Sequence, residues 1–290
     1  MNTTHFVHLH NSAVLSVTGE DRTGFVQGQV ANDIQGLASG EARRSLALNL
    51  RGQAIADLTV LETGTAYALV VEDGMRDWLA ATFDHHLIFD QVELTSTDNY
   101  AHLSVQGPDA AAVADALAEV APYVWERTRS RAGGLDVLVP TAELAAVTEV
   151  LFSAGISEAT LAEHTAERVL AGLPLATQDA GEGVLPQEAG LESALSYRKG
   201  CYLGQEIMAR IEARGNLKRH LTRIQVPSGK ELPARAPIEN EAGRTVGIVG
   251  SQAALPDGGR IALAVLRNDL AEGATLAVAG EVITQYPATS

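Results

Sequence analysis

The sequence contains a single cysteine among its 290 residues, Cys201. One thiol excludes an intramolecular disulfide and any structural zinc site built from several cysteines. The eight histidines show no ligand spacing beyond the adjacent pair His85 and His86, so no metal site is predicted. A lone cysteine is most often an inert small hydrophobic residue, and a reactive role for Cys201 therefore has to rest on its surroundings.

Long apolar runs are missing as well. No stretch approaches the roughly 18 apolar residues that a membrane-spanning helix requires, and residues 1–5 lack the basic patch and apolar run of a secretory signal. Hydrophobic residues make up 46% of the chain and charged residues 20%, as in ordinary globular proteins. We expect a monomeric cytoplasmic protein that does not contact a membrane.

Positive charge is scarce, with 21 Lys and Arg against 36 Asp and Glu and a net charge of -15. Such a protein repels nucleic acids, so no direct nucleic-acid binding is expected. Between residues 198 and 223, however, only two residues are acidic and seven are basic: Arg198, Lys199, Arg210, Arg214, Lys218, Arg219 and Arg223. This basic island surrounds Cys201 and indicates a site for a small anion or a polyanionic tail; a solvated basic helix and turn is the alternative.

The residues around Cys201 favour a reactive thiol. Leu203, Ile207 and Ile211 recur every fourth residue and predict a helix that begins just after Cys201. Unpaired N–H groups at that helix end and the ammonium of Lys199 would both favour thiolate over thiol. No protease-type nucleophile signature flanks the cysteine, and no phosphate-binding glycine loop occurs. Cys201 and Lys199 are therefore candidate catalytic residues.

Hydrophobic periodicity divides the chain into three units. Strand and helix patterns follow one another in a similar order in residues 1–100 and 101–219, which predicts two related α+β units. In residues 220–290 helical periodicity disappears, and short β-branched runs between Pro and Gly turns predict a small β-barrel. The fold class is therefore α+β, with a C-terminal barrel as the third unit.

Two carboxylates stand in apolar surroundings. Asp57 lies within a predicted apolar strand, and Glu188 lies in the first turn of a helix predicted over residues 186–195. A buried acid is unfavourable unless something binds it. A bicyclic heterocycle with ring N–H and amino donors would satisfy such groups; a rim carboxylate or a helix-capping charge is the alternative for either residue.

The octapeptide Lys-Gly-Cys-Tyr-Leu-Gly-Gln-Glu at residues 199–206 resembles the signature of the YgfZ family, folate-binding relatives of the glycine-cleavage T-protein that support iron–sulfur enzymes. Further similar segments are residues 19–33, 49–57, 171–174, 186–191 and 243–251. The chain departs from the family pattern at Ala31, where Thr is usual, and at Arg51 and Gln53, where Lys and Arg are common.

The resemblance implies a three-lobed, T-protein-like fold that holds tetrahydrofolate or a one-carbon derivative in a central channel. Lys199 and Cys201 would face the folate, and Asp57 lies in the segment that supplies the catalytic aspartate of the T-protein. Glu188 matches the carboxylate that holds the pterin, and the basic island suits the glutamyl tail. The residues expected to bind the cofactor are Glu188, Asp57, Tyr197, Arg198, Gln205 and Arg214.

The function implied by the resemblance is support of iron–sulfur cluster assembly or repair in client enzymes, tRNA-thiolating enzymes among them. Cys201 would be the reactive or ligand-exchanging group, and one thiolate alone would hold a cluster only transiently. The first alternative is a folate-dependent aminomethyltransferase or methyltransferase that uses Asp57. The second is a scaffold with a vestigial folate pocket. The sequence leaves open whether the protein is an enzyme.

Overall fold

The computed structural model describes residues 3–72, 74–215, 217–271 and 273–286. In this part of the chain the strands are β1 His5–His8, β2 Ala13–Thr18, β3 Ala42–Leu48, β4 Ala54–Glu62, β5 Tyr67–Val71, β6 Glu93–Thr97, β7 Tyr100–Gln106, β8 Tyr123–Glu126, β9 Gly134–Pro140, β10 Ser157–Glu158, β11 Arg219–Val226, β12 Pro237–Asn240, β13 Thr245–Ala254, β14 Arg260–Arg267, β15 Leu276–Val278 and β16 Glu281–Gln285.

The helices of the same residues are α1 Arg22–Gln29, α2 Arg76–His86, α3 Ala114–Ala118, α4 Leu144–Ser153, α5 Leu161–Ala171, α6 Ala176–Asp179 and α7 Gln205–Arg214. Short 3₁₀ helices span Ala110–Val113, Thr141–Glu143 and Glu192–Ala194. None of these helices is long and apolar enough to cross a membrane.

The first sheet is antiparallel and has the strand order β3-β4-β5-β2-β6. Helices α1 and α2 lie against it, and their aromatic side chains Phe25 and Phe83 pack edge to face at 5.9 Å within a core of buried aliphatic residues. The spacing of Met75, Leu79 and Leu87 in the sequence predicts α2, and the structure confirms this helix.

The second sheet has the order β10-β1-β7-β9-β8 and carries α3 and α4 on its core side. Strand β1, which the sequence analysis did not identify, pairs antiparallel with β7, so that His5 faces Gln106. The chain therefore passes from the second sheet at β1 to the first sheet at β2. This crossing joins the two α+β units directly, in addition to their side-chain contacts.

The C-terminal strands close into a barrel with the order β11-β14-β13-β12-β15-β16, which confirms the predicted fold class. Its interior is filled by short aliphatic side chains, among them Ile224, Val249 and Leu266, all fully buried. Helix α5 lies against β13 and β14 and links the barrel to the second unit.

The segment between α5 and α7 packs across the first unit. Leu191 and Met208 share a buried cluster with Ala31 and Leu48 of the first unit. The helix predicted over residues 186–195 is wrong, because this stretch forms a turn at residues 186–190 followed by the short 3₁₀ helix Glu192–Ala194. Gly190 has a φ of 71°, and the N–H of Leu191 donates to the carbonyl of Pro186 at 2.9 Å, which closes the turn before a second can form.

Candidate functional site

Cys201 is a free, exposed thiol on the loop that precedes α7. The predicted helix exists but begins later than expected, at Gln205, with Gly204 as the N-cap in the left-handed conformation. The thiol therefore lies several residues ahead of the helix and not within its first turn. Arg198, which directly precedes Lys199, is likewise exposed on the same loop.

The ammonium of Lys199 is buried against the carboxyl end of α1. It donates to three backbone carbonyl oxygens, those of Gln27 at 2.5 Å, Val30 at 2.6 Å and Asn32 at 3.0 Å. We call these three oxygens the carbonyl socket. Burial lowers the pKa of Lys199 to about 8, and the charge of Asp33 opposes this shift. The catalytic role expected for Lys199 stays a prediction, and its ammonium is directed at the end of α1.

Two further backbone contacts fasten the loop to the first unit. The N–H of Ser196 donates to the carbonyl of Ala31 at 2.9 Å, and the N–H of Leu203 donates to that of Gly28 at 3.4 Å. On the side of the first unit, Asn32 Nδ2 donates to the carbonyl of Ser193 at 3.2 Å. The loop that carries Cys201 is thus held on both sides of the thiol.

Helix α7 begins directly on the hairpin that joins β3 and β4. A side chain at Gly204, where φ is 84°, would place its Cβ 2.7 Å from the carbonyl oxygen of Asn49. At Gly52, on the opposite side of this contact, a Cβ would lie 2.6 Å from Met208 Cε and 3.0 Å from Ile207. Gly204 is required because the two backbones approach so closely there, whereas glycine at Gly52 is favoured by its φ of 71° and by the Ile207 side chain packed against it.

Asp57 is buried and held by two arginines. Arg44 donates to it from Nε at 3.0 Å and from Nη2 at 2.5 Å, while Arg127 Nη2 lies 3.7 Å away. The N–H of Ala176 completes the set at 3.1 Å. Burial alone would raise the pKa of Asp57, but Arg44 outweighs it and, with Arg127 and Ala176, lowers this pKa to about 2.

The arginine partners of Asp57 were not identified from the sequence. Arg127 belongs to a buried charge cluster between the two units, in which Arg129 Nη2 donates to Glu72 and to Asp136, each at 2.6 Å. Burial and the nearby charges of Arg44 and Arg129 lower the pKa of Arg127 to about 9. The sequence shows only that Arg44, Arg127 and Arg129 lie in otherwise apolar strands or at their edges. This pattern does not indicate which carboxylates they pair with.

Glu188 is buried at the edge of a cleft beside the barrel. Its Oε2 accepts from Arg219 Nη2 at 2.8 Å and from the N–H of Leu185 at 3.2 Å. The cleft has a volume of about 250 Å³ and is also lined by Lys218 and Arg267. A carboxylate and several cations therefore meet at one opening, and the basic island contributes two of these cations.

Beside Glu188, Gln187 connects the turn to the thiol-bearing loop. Its Nε2 donates to the hydroxyl of Tyr197 at 3.2 Å and contacts Met208 Sδ at the same distance. Its Oε1 is buried and accepts no hydrogen bond within the described part of the chain. Burial raises the pKa of Tyr197. An acceptor without a donor at this point is unfavourable unless a ligand supplies the donor.

The remaining expected site residues are less informative. Gln205 is half-buried in the first turn of α7. The side chain of Arg214 lies outside the described residues. Among the residues that the structure does describe, no group of three His, Cys, Asp or Glu side chains could hold a metal ion.

Most of the expected site residues lie on, or in contact with, one segment, residues 174–205. Ala176 of this segment donates its N–H to Asp57, and Glu188, Tyr197, Lys199 and Cys201 follow along the same segment. Asp57 is enclosed between the two units, Glu188 opens toward the barrel, and Cys201 faces outward. The arrangement therefore separates two buried carboxylates from the exposed thiol.

Similarity to known proteins agrees with this arrangement. Residues 5–139 match the family model described as the GCVT N-terminal domain. The chain is 26% identical over 292 residues to the tRNA-modifying protein YgfZ of Cronobacter sakazakii. This match covers 95% of this chain and 88% of that protein. It is also 26% identical over 280 residues to the YgfZ of Klebsiella pneumoniae, which covers 90% and 85%.

Among solved structures, the glycine cleavage system aminomethyltransferase T from Bartonella henselae superposes with a TM-score of 0.77. The two chains are 20% identical, and the match covers 97% of this chain and 83% of the other. This likeness shows the fold alone. The nearly full-length relatives and the signature at residues 199–206 support membership of the YgfZ family.

Proposed function

We propose that this protein binds a tetrahydrofolate and supports the assembly or repair of iron–sulfur clusters in client enzymes. The observation that carries the proposal is the position of Cys201. The sole thiol of the chain is exposed on a loop that is fastened to the first unit by backbone contacts on both sides. A thiol used only for packing would be buried, as free cysteines in proteins usually are.

The residues present fit a folate. Gln187 Oε1 is a buried acceptor without a donor, and the adjacent Glu188 is a buried carboxylate, so both could accept N–H groups of a pterin ring. Other cations of the basic island suit the carboxylates of the glutamyl tail, which lie at the opposite end of a folate from the pterin ring. When bound, tetrahydrofolate would carry a one-carbon unit.

The relatives carry the name tRNA-modifying protein, which suggests that the client enzymes are among those that modify tRNA. With a net charge of -15, this chain is not suited to bind tRNA itself, so an effect on tRNA would pass through iron–sulfur enzymes that modify it. One thiolate cannot anchor a cluster alone, and contact with a cluster would be shared with the client.

The test is complementation of cells that lack their YgfZ protein, read out as iron–sulfur enzyme activity and as the level of thiolated tRNA. Cys201→Ala should fold, bind folinic acid like the wild type and fail to restore either readout. Gly200→Ala, where the added Cβ meets no atom within 4 Å, is the matched control and should restore both. Full restoration by Cys201→Ala would refute the proposal.

The second candidate is a folate-dependent aminomethyltransferase, favoured by the fold shared with aminomethyltransferase T. This enzyme would need Asp57 rather than Cys201. Because Asp57 is bound to Arg44 and kept ionised, its carboxylate is poorly suited to take up a proton. Incubation with tetrahydrofolate and an aminomethyl thioether, whose carbon is already at the oxidation level of formaldehyde, decides between the two. Methylenetetrahydrofolate that forms with the wild type, with release of ammonia and free thiol, and not with Asp57→Asn under conditions in which circular dichroism shows the variant folded, would favour the transferase.

A further inference from the structure

Lys199 has no donor left for chemistry. An ammonium group carries three N–H donors, and the carbonyl socket provides three acceptors within 3.0 Å. The side chain is only 6% exposed, so solvent does not compete for these bonds. A group in this state holds two parts of the chain together and does not meet a reacting atom.

The carbonyl socket is the natural receptor for a cation. Gln27 and Val30 lie at the carboxyl end of α1, where carbonyls lack helical partners and the helix dipole is negative. The turn that follows is itself fixed: Gln27 Nε2 donates to Asp33 at 2.9 Å, and Gln27 Oε1 accepts from the N–H of Ile34 at 3.0 Å. Lys199 is therefore held by a preformed site.

The same helix end also holds the other side of the loop. The N–H of Leu203 donates to the carbonyl of Gly28, so α1 contacts the chain two residues before Cys201 and two residues after it. Between these points only Gly200, Cys201 and Tyr202 are left, and the thiol is exposed. With so short a span fixed at both ends, the thiol has little freedom to move.

We propose that Lys199 is a positioning residue, whose attachment to the carbonyl socket fixes the exposed thiol of Cys201 over the carboxyl end of α1. This inference rests on the proposed function of Cys201. It assigns to the lysine of the signature the placement of the thiol, and it leaves the contact with a client or a cluster to Cys201 alone.

A nitroxide spin label tests this placement, because the single cysteine takes the label without any other substitution. On the wild type the spectrum should show an immobilised label. Lys199→Met should lose the immobilised component while circular dichroism shows a folded protein, and Lys199→Gln covers the case in which the Met variant does not fold. Lys230→Met, an exposed lysine of the barrel, is the matched control and should leave the spectrum unchanged.

Chemical rescue separates positioning from general stability. Methylammonium added to Lys199→Ala should restore the immobilised component, because it returns N–H donors to the carbonyl socket, whereas tetramethylammonium has none and should not. A label that stays immobilised in Lys199→Met and Lys199→Ala would overturn the proposal, even if both variants melt earlier. Full complementation by Cys201→Ala would instead refute the proposed function and leave the labelling result standing.

Discussion

Lys199 Nζ lies 2.5 Å from the carbonyl oxygen of Gln27, a residue 172 positions earlier in the chain. Both residues belong to segments that carry the family resemblance, one to residues 19–33 and the other to residues 199–206. The contact explains why these two segments occur together: the first builds the carbonyl socket and the second supplies the cation that fills it. Asn49 and Gly204 meet in the same way, between residues 49–57 and the signature.

The buried ammonium should make stability depend on pH in the alkaline range. The pKa of Lys199 is lowered from 10.5 to about 8 in the folded protein, so the folded chain releases this proton at a lower pH than the unfolded chain does. The contribution of Lys199 to stability is then lowest below pH 8 and rises up to pH 10.5. Relative to Lys199→Met, the free energy of unfolding of the wild type should increase by about 1.4 kcal/mol per pH unit in this range.

Urea denaturation of both proteins at several values between pH 7.5 and pH 9.5 measures this difference, since groups common to both cancel. A difference that does not change with pH would mean that the carbonyl socket keeps the ammonium protonated and that the pKa is not lowered.

Sequence patterns predicted those parts of the fold that local periodicity determines. The C-terminal barrel and α2 followed from local patterns, and the structure confirms both. Strand β12 was not identified, and the single strand predicted over residues 275–283 is divided into β15 and β16. The helix over residues 186–195 was wrong because a glycine at position 190 adopts a positive φ, and a polar, well-capped start gives no sign of so early an end. Strand β1 was missed because its four residues are stabilised by pairing with β7, nearly 100 positions away.

The candidate site divides in the same way. Cys201 and the basic island could be singled out from the sequence, since one is a rare residue and the other a local charge count. The sequence left open whether the thiol is exposed, and the structure shows that it is. The partners of Asp57 could not, because Arg44 reaches it from β3 and Arg127 from the residue after β8, and sequence spacing does not encode which cation meets which carboxylate. Lys199 was expected near the thiol chemistry, whereas its ammonium is bound by backbone oxygens that no side-chain pattern reveals.

Asp57→Asn should destabilise the protein strongly at neutral pH. Arg44 and Arg127 would lose their counter-charge in a buried site, and removal of one partner from such a cluster typically costs about 3–5 kcal/mol. The pKa of Asp57 is lowered from 3.8 to about 2, so the stability it contributes is present above pH 3.8 and is lost as the pH falls through 2. The difference between wild type and variant, measured by urea denaturation, should therefore shrink below pH 4; a constant difference would contradict the ion pair.

Gly204→Ala should separate α7 from the β3–β4 hairpin. The added Cβ would lie 2.7 Å from the carbonyl oxygen of Asn49, and the φ of 84° disfavours any side chain. Strain of this kind costs on the order of 1–3 kcal/mol, which lowers the melting temperature. Gly200→Ala lies on the same loop but meets no atom within 4 Å, so it should melt like the wild type. Equal melting temperatures for the two variants would show that the contact at Gly204 relaxes without strain.

Glu188→Gln tests whether the buried carboxylate binds the folate. The amide keeps an oxygen for Arg219 and for the N–H of Leu185, so the fold should survive, but the negative charge that strengthens hydrogen bonds from a ligand is lost. A hydrogen bond to a charged group contributes about 1.5–3 kcal/mol, which corresponds to a loss of affinity of roughly 10-fold to 100-fold. Calorimetric titration with folinic acid measures this loss.

Glu192→Gln, which changes an exposed carboxylate a few residues further along, is the matched control and should bind like the wild type. If both variants bind with wild-type affinity, Glu188 serves only as the partner of Arg219, and the acceptor for a pterin ring has to be sought at Gln187 Oε1.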